Sequence, residues 1–159
     1  MKISIRKGVS FGLTSGIITT LGLIIGLNSS THSKIVILGG ILTIAIADAF
    51  SDSLGIHLSE ESGNKQTTNK QIWESTGATF LSKLLFSLTF LIPFILLSLR
   101  SAIIVSIIWG LLIITLLSYY VAKWKKSSAF KAISEHLIIT GLVIFATHYT
   151  GALIASIFS

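Results

Sequence analysis

The segment IAIADAFSDSLGIHLSEES, residues 44–62, decides how this chain folds. It begins as an apolar run of the kind that crosses a bilayer, then takes in Asp48, Asp52, His57, Glu60 and Glu61 without a proline to stop it. Read as a helix, it places Asp48 and Asp52 four residues apart and so on one face. Which solvent those carboxylates meet depends on the rest of the chain.

Of 159 residues, 52% are hydrophobic and 11% are charged, with mean hydropathy +0.86, against about 25% charged residues in soluble domains. That composition is of an integral membrane protein. Reading for runs of about 20 apolar residues gives five spans, at 8–27, 35–57, 78–99, 102–122 and 137–158. The expected fold is therefore all-α: a polytopic membrane protein with five transmembrane helices, a single transmembrane domain over 1–159. The connections expected between spans are NSSTHSK, the polar stretch 60–76, a tight turn at Arg100–Ser101, and the basic KWKKSSAFKAISE. Lys2, Arg6 and Lys7 before the first span resemble the start of a signal peptide, but the long Thr- and Ser-broken run that follows reads as a retained span.

No cysteine is present, which excludes disulfides, thiolate metal sites and cysteine nucleophiles. The net charge of +6 sets topology rather than binding nucleic acid, because no basic stripe or nucleic-acid motif accompanies it. Lys2, Arg6, Lys7, Lys65, Lys70, Lys123, Lys125, Lys126 and Lys131 fall on one side of the five spans, and Lys34 and Arg100 on the other. The expectation is an N-terminus inside and a C-terminus outside, with Asp48 and Asp52 in the cytoplasmic half of the second span.

Aspartate at the centre of a membrane helix costs about 2.5–3.5 kcal/mol, and two so close repel, which favours a proton on one of them. A basic partner, a proton or a cation relieves this. Lys83 is the basic residue inside a span at a comparable level, so a Lys83–Asp52 ion pair is one expectation. Two carboxylates on one lysine leave a surplus negative charge that a divalent cation satisfies, and oxygen ligands with an imidazole suit Mn²⁺ or Fe²⁺. The candidate metal residues are Asp48 and Asp52, with Ser51, Ser15 and Thr19 as hydroxyl or carbonyl neighbours. Glu60 and Glu61 either capture metal at the inner mouth or form a solvated helix end. His57 and His148 either supply nitrogen or carry protons; for His148 a buried, hydrogen-bonded core role stands beside that one.

The first span carries Gly8, Gly12, Ser15, Gly16, Thr19, Gly22 and Gly26 on about a third of its circumference. Small-xxx-small spacing of this kind lets helices approach closely in lipid, and the hydroxyls on the same face could line a polar path. A similar stripe, Gly141, His148, Ala152 and Ala155, runs along the fifth span. A membrane enzyme finds little support: an intramembrane aspartyl protease needs aspartates on two helices, and a phosphotransferase of the CDP-alcohol type a longer Asp series. The other reading is a non-transporting scaffold or accessory subunit in which Asp and Lys83 are structural glue.

TSGIITTLGLIIGL (14–27) and ADAFSDSLGIHLSEES (47–62), with Pro93 in FLIPFILL and the small-residue FATHYTGALIA, resemble the vacuolar iron and manganese transporter family. Ser15 stands where that family has an acidic residue and Asp52 where it has a methionine. The Glu-rich cytoplasmic domain of the family is reduced to residues 60–76, with Glu60, Glu61 and Glu74. The resemblance implies a short-form transporter in the cell membrane, without a permanently bound cofactor. It would be a homodimer that exports Fe²⁺ or Mn²⁺ from the cytosol in exchange for protons, along a path beside the first helix.

Overall fold

A computed structural model describes residues 2–63 and 67–158; Lys65, counted above on the basic side, lies outside them. The described residues form six helices and no strand. Helix α1 spans Ile3–Thr31 and α2 Lys34–Ser62, with only His32 and Ser33 between them. His32 closes α1 in the left-handed region at φ 49°, its N–H donating to the Asn28 carbonyl, and the Ser33 hydroxyl accepts from the Val36 N–H to open α2.

The third span starts earlier than hydropathy places it. Helix α3 is Asn69–Thr89, because Thr68 and Gln71 form a capping box in which each side chain satisfies the other's backbone N–H. Much of the polar stretch 60–76 is thus helix: Glu60 and Glu61 belong to α2, and Glu74 to α3. Pro93 then breaks the span. It has no N–H for the Thr89 carbonyl, and the helix resumes as α4, Leu91–Leu96. The next turn falls at Leu97–Ser98 rather than at Arg100–Ser101, which lie in the first turn of α5, Leu99–Lys125. Helix α6, Ala129–Phe158, likewise takes in much of the basic stretch expected as a connection.

Five segments, with α3 and α4 counted as one, are long and apolar enough to cross a membrane. Their surfaces are inverted relative to a soluble bundle. Along α2 the exposed stripe is Leu42, Ile46, Phe50, Leu54 and Leu58, and along α5 it is Ile104, Ile108, Leu112 and Leu116, while the buried stripe of α5 is Ala102, Ser106, Gly110, Ile114, Ser118 and Ala122. Lipid solvates the first kind of face at no cost, so small residues that admit a neighbouring backbone settle the packing.

Helix α1 is the centre of the bundle and packs against α2, α3, α5 and α6. Its glycine face divides between two partners. A Cβ on Gly8 would overlap the Ser75 carbonyl oxygen, and one on Gly12 would lie 2.6 Å from the Thr79 carbonyl oxygen, so these glycines admit α3. Gly22 and Gly26 face Val143 and Thr147 of α6. The opposite face, Ile17, Leu21 and Ile24, is fully buried in the apolar core with Ile114. On α6 the buried small residue is Gly151, against the Gly26 carbonyl, whereas Gly141 is open. Of the expected stripe Gly141, His148, Ala152 and Ala155, Gly141 has nothing within 4 Å, whereas His148 reaches Ser29 of α1.

The basic residues gather at one end. Lys7 pairs with Glu60, Lys2 with Glu74, and Arg6 lies over the Trp124 ring, 5.1 Å from its centroid. At the opposite end Lys34 Nζ donates to the Leu97 carbonyl at 2.9 Å.

Candidate functional site at the centre of the bundle

The α1–α3 glycine seam determines where Lys83 can go. Ser75, Thr79, Lys83 and Ser87 recur every four residues on α3 and are all buried against α1. At Gly16 a Cβ would sit 3.2 Å from Lys83 Cγ, so the lysine stem crosses α1 where no side chain obstructs it. Above it, Thr20 donates to Ser87 Oγ at 3.1 Å; below it, Thr79 donates to the Gly8 carbonyl at 3.2 Å. The lysine is thus bracketed by satisfied hydroxyls on both sides.

Lys83 is fully buried. Its Nζ donates to Ser15 Oγ at 2.8 Å and to Asp52 Oδ2, and lies 2.6 Å from Asp48 Oδ2. Three helices therefore converge on one ammonium. The Asp48 contact is short enough for an ion pair, but Asp48 Oδ2 is buried without a hydrogen bond of acceptable geometry. Charge alone holds it, since electrostatic attraction does not depend on the donor angle. Counted as formal charges, one ammonium and two carboxylates leave the centre one negative charge in surplus. Both carboxylates retain partial exposure, 26% for the Asp48 side chain and 20% for Asp52.

The extended helices change the depth of this centre. Asp48 is the midpoint of α2, and Lys83 lies four turns into α3 rather than at its start. A groove of about 620 Å³ between α1, α2 and α6 reaches Ile44 and Thr19, one helical turn from Asp48 and Ser15 respectively, and continues to Ser30 and Gly151. Thr19 lines it, with its hydroxyl donating to the Ser15 carbonyl at 2.9 Å.

The other candidate residues lie apart. Ser51 and His57 line a second groove, about 660 Å³, between α2 and α3. There His57 Nδ1 is 3.0 Å from Thr76 Oγ1 and the ring meets Trp73 edge-on. Glu60 is engaged by Lys7, and Glu61 is exposed. His148 Nδ1 is 2.7 Å from Ser29 Oγ, fourteen residues along α1 from Ser15 and hence about 20 Å away. Among the described residues no three His, Asp or Glu side chains are grouped so as to hold a metal ion by themselves. The centre is two carboxylates, a hydroxyl and an ammonium.

Lys83 and Asp52 were visible as a pair from their levels in the sequence. Asp48 joining the same nitrogen, and Ser15 completing it, depend on the helix–helix approach at Gly16 and have no sequence signal beyond the i, i+4 spacing. His136 carries no such signal either, yet it contacts Ser118 Oγ at 2.7 Å through Nδ1.

A search of curated proteins returns no match to this chain. The VIT family model matches residues 52–152, from Asp52 through Lys83 and Pro93 into α6, leaving α1 and Asp48 outside the matched region. A match over more than half the chain, on a five-span bundle with a charged centre, establishes that this chain belongs to the VIT family, the vacuolar iron transporters, a family of membrane proteins that carry metal ions.

Proposed function

We propose that the chain exports a divalent cation, Fe²⁺ or Mn²⁺, from the cytosol across the cell membrane in exchange for protons, with Asp48 and Asp52 as its carboxylate ligands. The observation that carries this reading is the convergence of both carboxylates on one buried ammonium, with a negative charge to spare. Two oxygens that share one nitrogen are close enough to share one small divalent ion, whose oxygen ligands lie at about 2.0–2.2 Å. Oxygen-rich ligation suits Fe²⁺ and Mn²⁺ better than soft metals.

In this reading Lys83 occupies the cation position while the site is empty. It neutralises one carboxylate in the low-dielectric centre and gives way when the metal arrives, and the carboxylates carry protons on the return. Ser15 is the neutral oxygen neighbour, and the groove past Thr19 and Ile44 is the route away from the centre. The basic end faces the cytosol, where Glu60 and Glu61 meet incoming metal. A second copy packing along α1 would close that groove, consistent with a homodimer.

The second reading, a scaffold in which Lys83 and the aspartates are structural glue, is favoured by the same pairing: both carboxylates are already occupied by the lysine. Proteoliposome uptake of Mn²⁺, Fe²⁺, Co²⁺, Zn²⁺, Mg²⁺ and Ca²⁺, with and without a pH gradient, separates the two. Transport of Mn²⁺ or Fe²⁺ that the gradient accelerates, and that Asp48→Asn/Asp52→Asn slows by about tenfold or more, supports the exporter; a flat response to every ion refutes it.

A further inference from the structure

The groove of about 660 Å³ between α2 and α3 runs from His57 and Trp73, toward the basic end, to Phe50, Phe80 and Leu81. Phe50, Leu54 and Leu81 are exposed, so it opens to lipid. His57 lies nine residues beyond Asp48, the midpoint of α2, or about 14 Å along the helix, near the edge of a hydrocarbon core about 30 Å thick. Phe50 lies about 3 Å from that midpoint. The polar end of the groove thus sits at the membrane boundary and its apolar wall reaches inward.

His57 is held in one tautomer. Thr76 Oγ1 donates to the Ile72 carbonyl at 2.8 Å and lies 3.0 Å from His57 Nδ1. A hydroxyl has one proton to give and a carbonyl has none, so Nδ1 supplies the proton of the second bond. In the neutral ring Nε2 then carries a lone pair, which finds no hydrogen-bond partner among the described residues. The indole N–H of Trp73, whose ring meets His57 edge-on at 4.7 Å between centroids, finds none there either. One acceptor and one donor are therefore left at the boundary, and no Asp, Glu, Lys or Arg lines the groove. Lys70, one turn before Trp73, borders a different hollow with Lys2 and Glu74.

We propose that this groove binds a diacylglycerol, with its free hydroxyl donating to His57 Nε2, an ester carbonyl accepting from the Trp73 indole, and an acyl chain along Phe50, Phe80 and Leu81. The apolar wall calls for a chain, and the boundary calls for an uncharged headgroup that brings both a donor and an acceptor. A phosphate brings a charge the groove does not answer, and a sterol brings a hydroxyl without a carbonyl. The inference does not depend on the transported ion.

Native mass spectrometry of the full chain, from detergent holding equal amounts of dioleoylglycerol, its acetate and phosphatidylglycerol, reads the preference. The acetate differs from dioleoylglycerol by the missing donor, so wild type should retain dioleoylglycerol over it about fivefold, the worth of one hydrogen bond. His57→Phe keeps a ring against Trp73 and removes the acceptor, and should bring the two to equal retention. Thr76→Val releases the ring to carry its proton on Nε2 and should lower the ratio as well, which tests the same acceptor even if His57→Phe disturbs folding. Trp73→Phe should weaken retention of both lipids alike, since both carry ester carbonyls. Equal retention of the two by wild type, an undiminished ratio in His57→Phe or Thr76→Val, undiminished retention of both by Trp73→Phe, or preferred retention of phosphatidylglycerol would overturn the proposal.

Discussion

Replacing Lys83 by methionine keeps the length of the side chain and removes its charge. The two aspartate oxygens that touch Nζ are then about 5 Å apart at most, and at an effective dielectric near 20 two unit charges at that distance repel by about 3 kcal/mol. Leaving a buried charge without its partner is expected to cost about 3–5 kcal/mol, because its desolvation is then uncompensated. Lys83→Met should therefore unfold earlier in detergent, by about that amount, and Lys83→Met/Asp52→Asn should recover a large part of the loss. The cycle over wild type, both single variants and the double variant should give a coupling of about 3 kcal/mol. If the carboxylates share one cation site, Mn²⁺ can take the place of the ammonium: at about one hundred times its Kd it would restore about 2.7 kcal/mol. Thermal melts of Lys83→Met with and without Mn²⁺, with Lys83→Met/Asp48→Asn/Asp52→Asn as the control, measure this. Additive single-variant losses would refute the shared centre. A Lys83→Met melt indifferent to Mn²⁺ would refute the cation site and leave the lysine as glue.

The packing makes further expectations testable by the same melts. Gly8→Ala should destabilise by about 1–3 kcal/mol, since its methyl meets the Ser75 backbone, whereas Gly55→Ala, with nothing within 4 Å, should be neutral or gain up to about 1 kcal/mol of helix propensity. Ser106→Ala should be neutral or stabilising by about 1 kcal/mol, because its hydroxyl is buried without a hydrogen-bond partner; a clear loss would show an unseen partner. His148→Ala should leave the Mn²⁺ response of Lys83→Met unchanged, because that ring is held by Ser29 far along α1, and a lost response would bring it into the site.

Hydropathy located the spans because lipid contact needs only apolar composition, which is local. It misplaced their ends where capping outweighs composition. Asn69–Gly77 is too polar to read as a span, yet Thr68 and Gln71 start a helix there, and Ala129–His136 continues α6 across Lys131 and Glu135, which sit 4.0 Å apart at i, i+4. The glycine face of α1 was legible as a seam, but not its division between α3 and α6: a helix surrounded by others has no single buried face for periodicity to find. Asp48 and Asp52 announced themselves by spacing, whereas the convergence of Ser15 on the same lysine follows from the contact at Gly16, where the missing Cβ lets the Lys83 stem cross.

The same contact bears on the substitution pattern against the family the α1 stretch resembles. The resemblance implies an acid at position 15 and a methionine at position 52, where this chain has Ser15 and Asp52. With Lys83 Nζ touching Ser15, Asp48 and Asp52, an acid at 15 as well would place three carboxylates on one ammonium, a net charge of minus two in a bundle centre. Serine at 15 returns the centre to minus one while still accepting a hydrogen bond from the lysine. An acid at 15 together with a methionine at 52 would keep the same electrostatic sum around Lys83, with a soft sulfur in place of a hard oxygen. Ser15→Asp alone should be poorly tolerated and Ser15→Asp/Asp52→Met should fold better than it does. If Ser15→Asp is instead as stable as wild type, the centre is not limited by charge, and the account of Lys83 as its counter-ion fails.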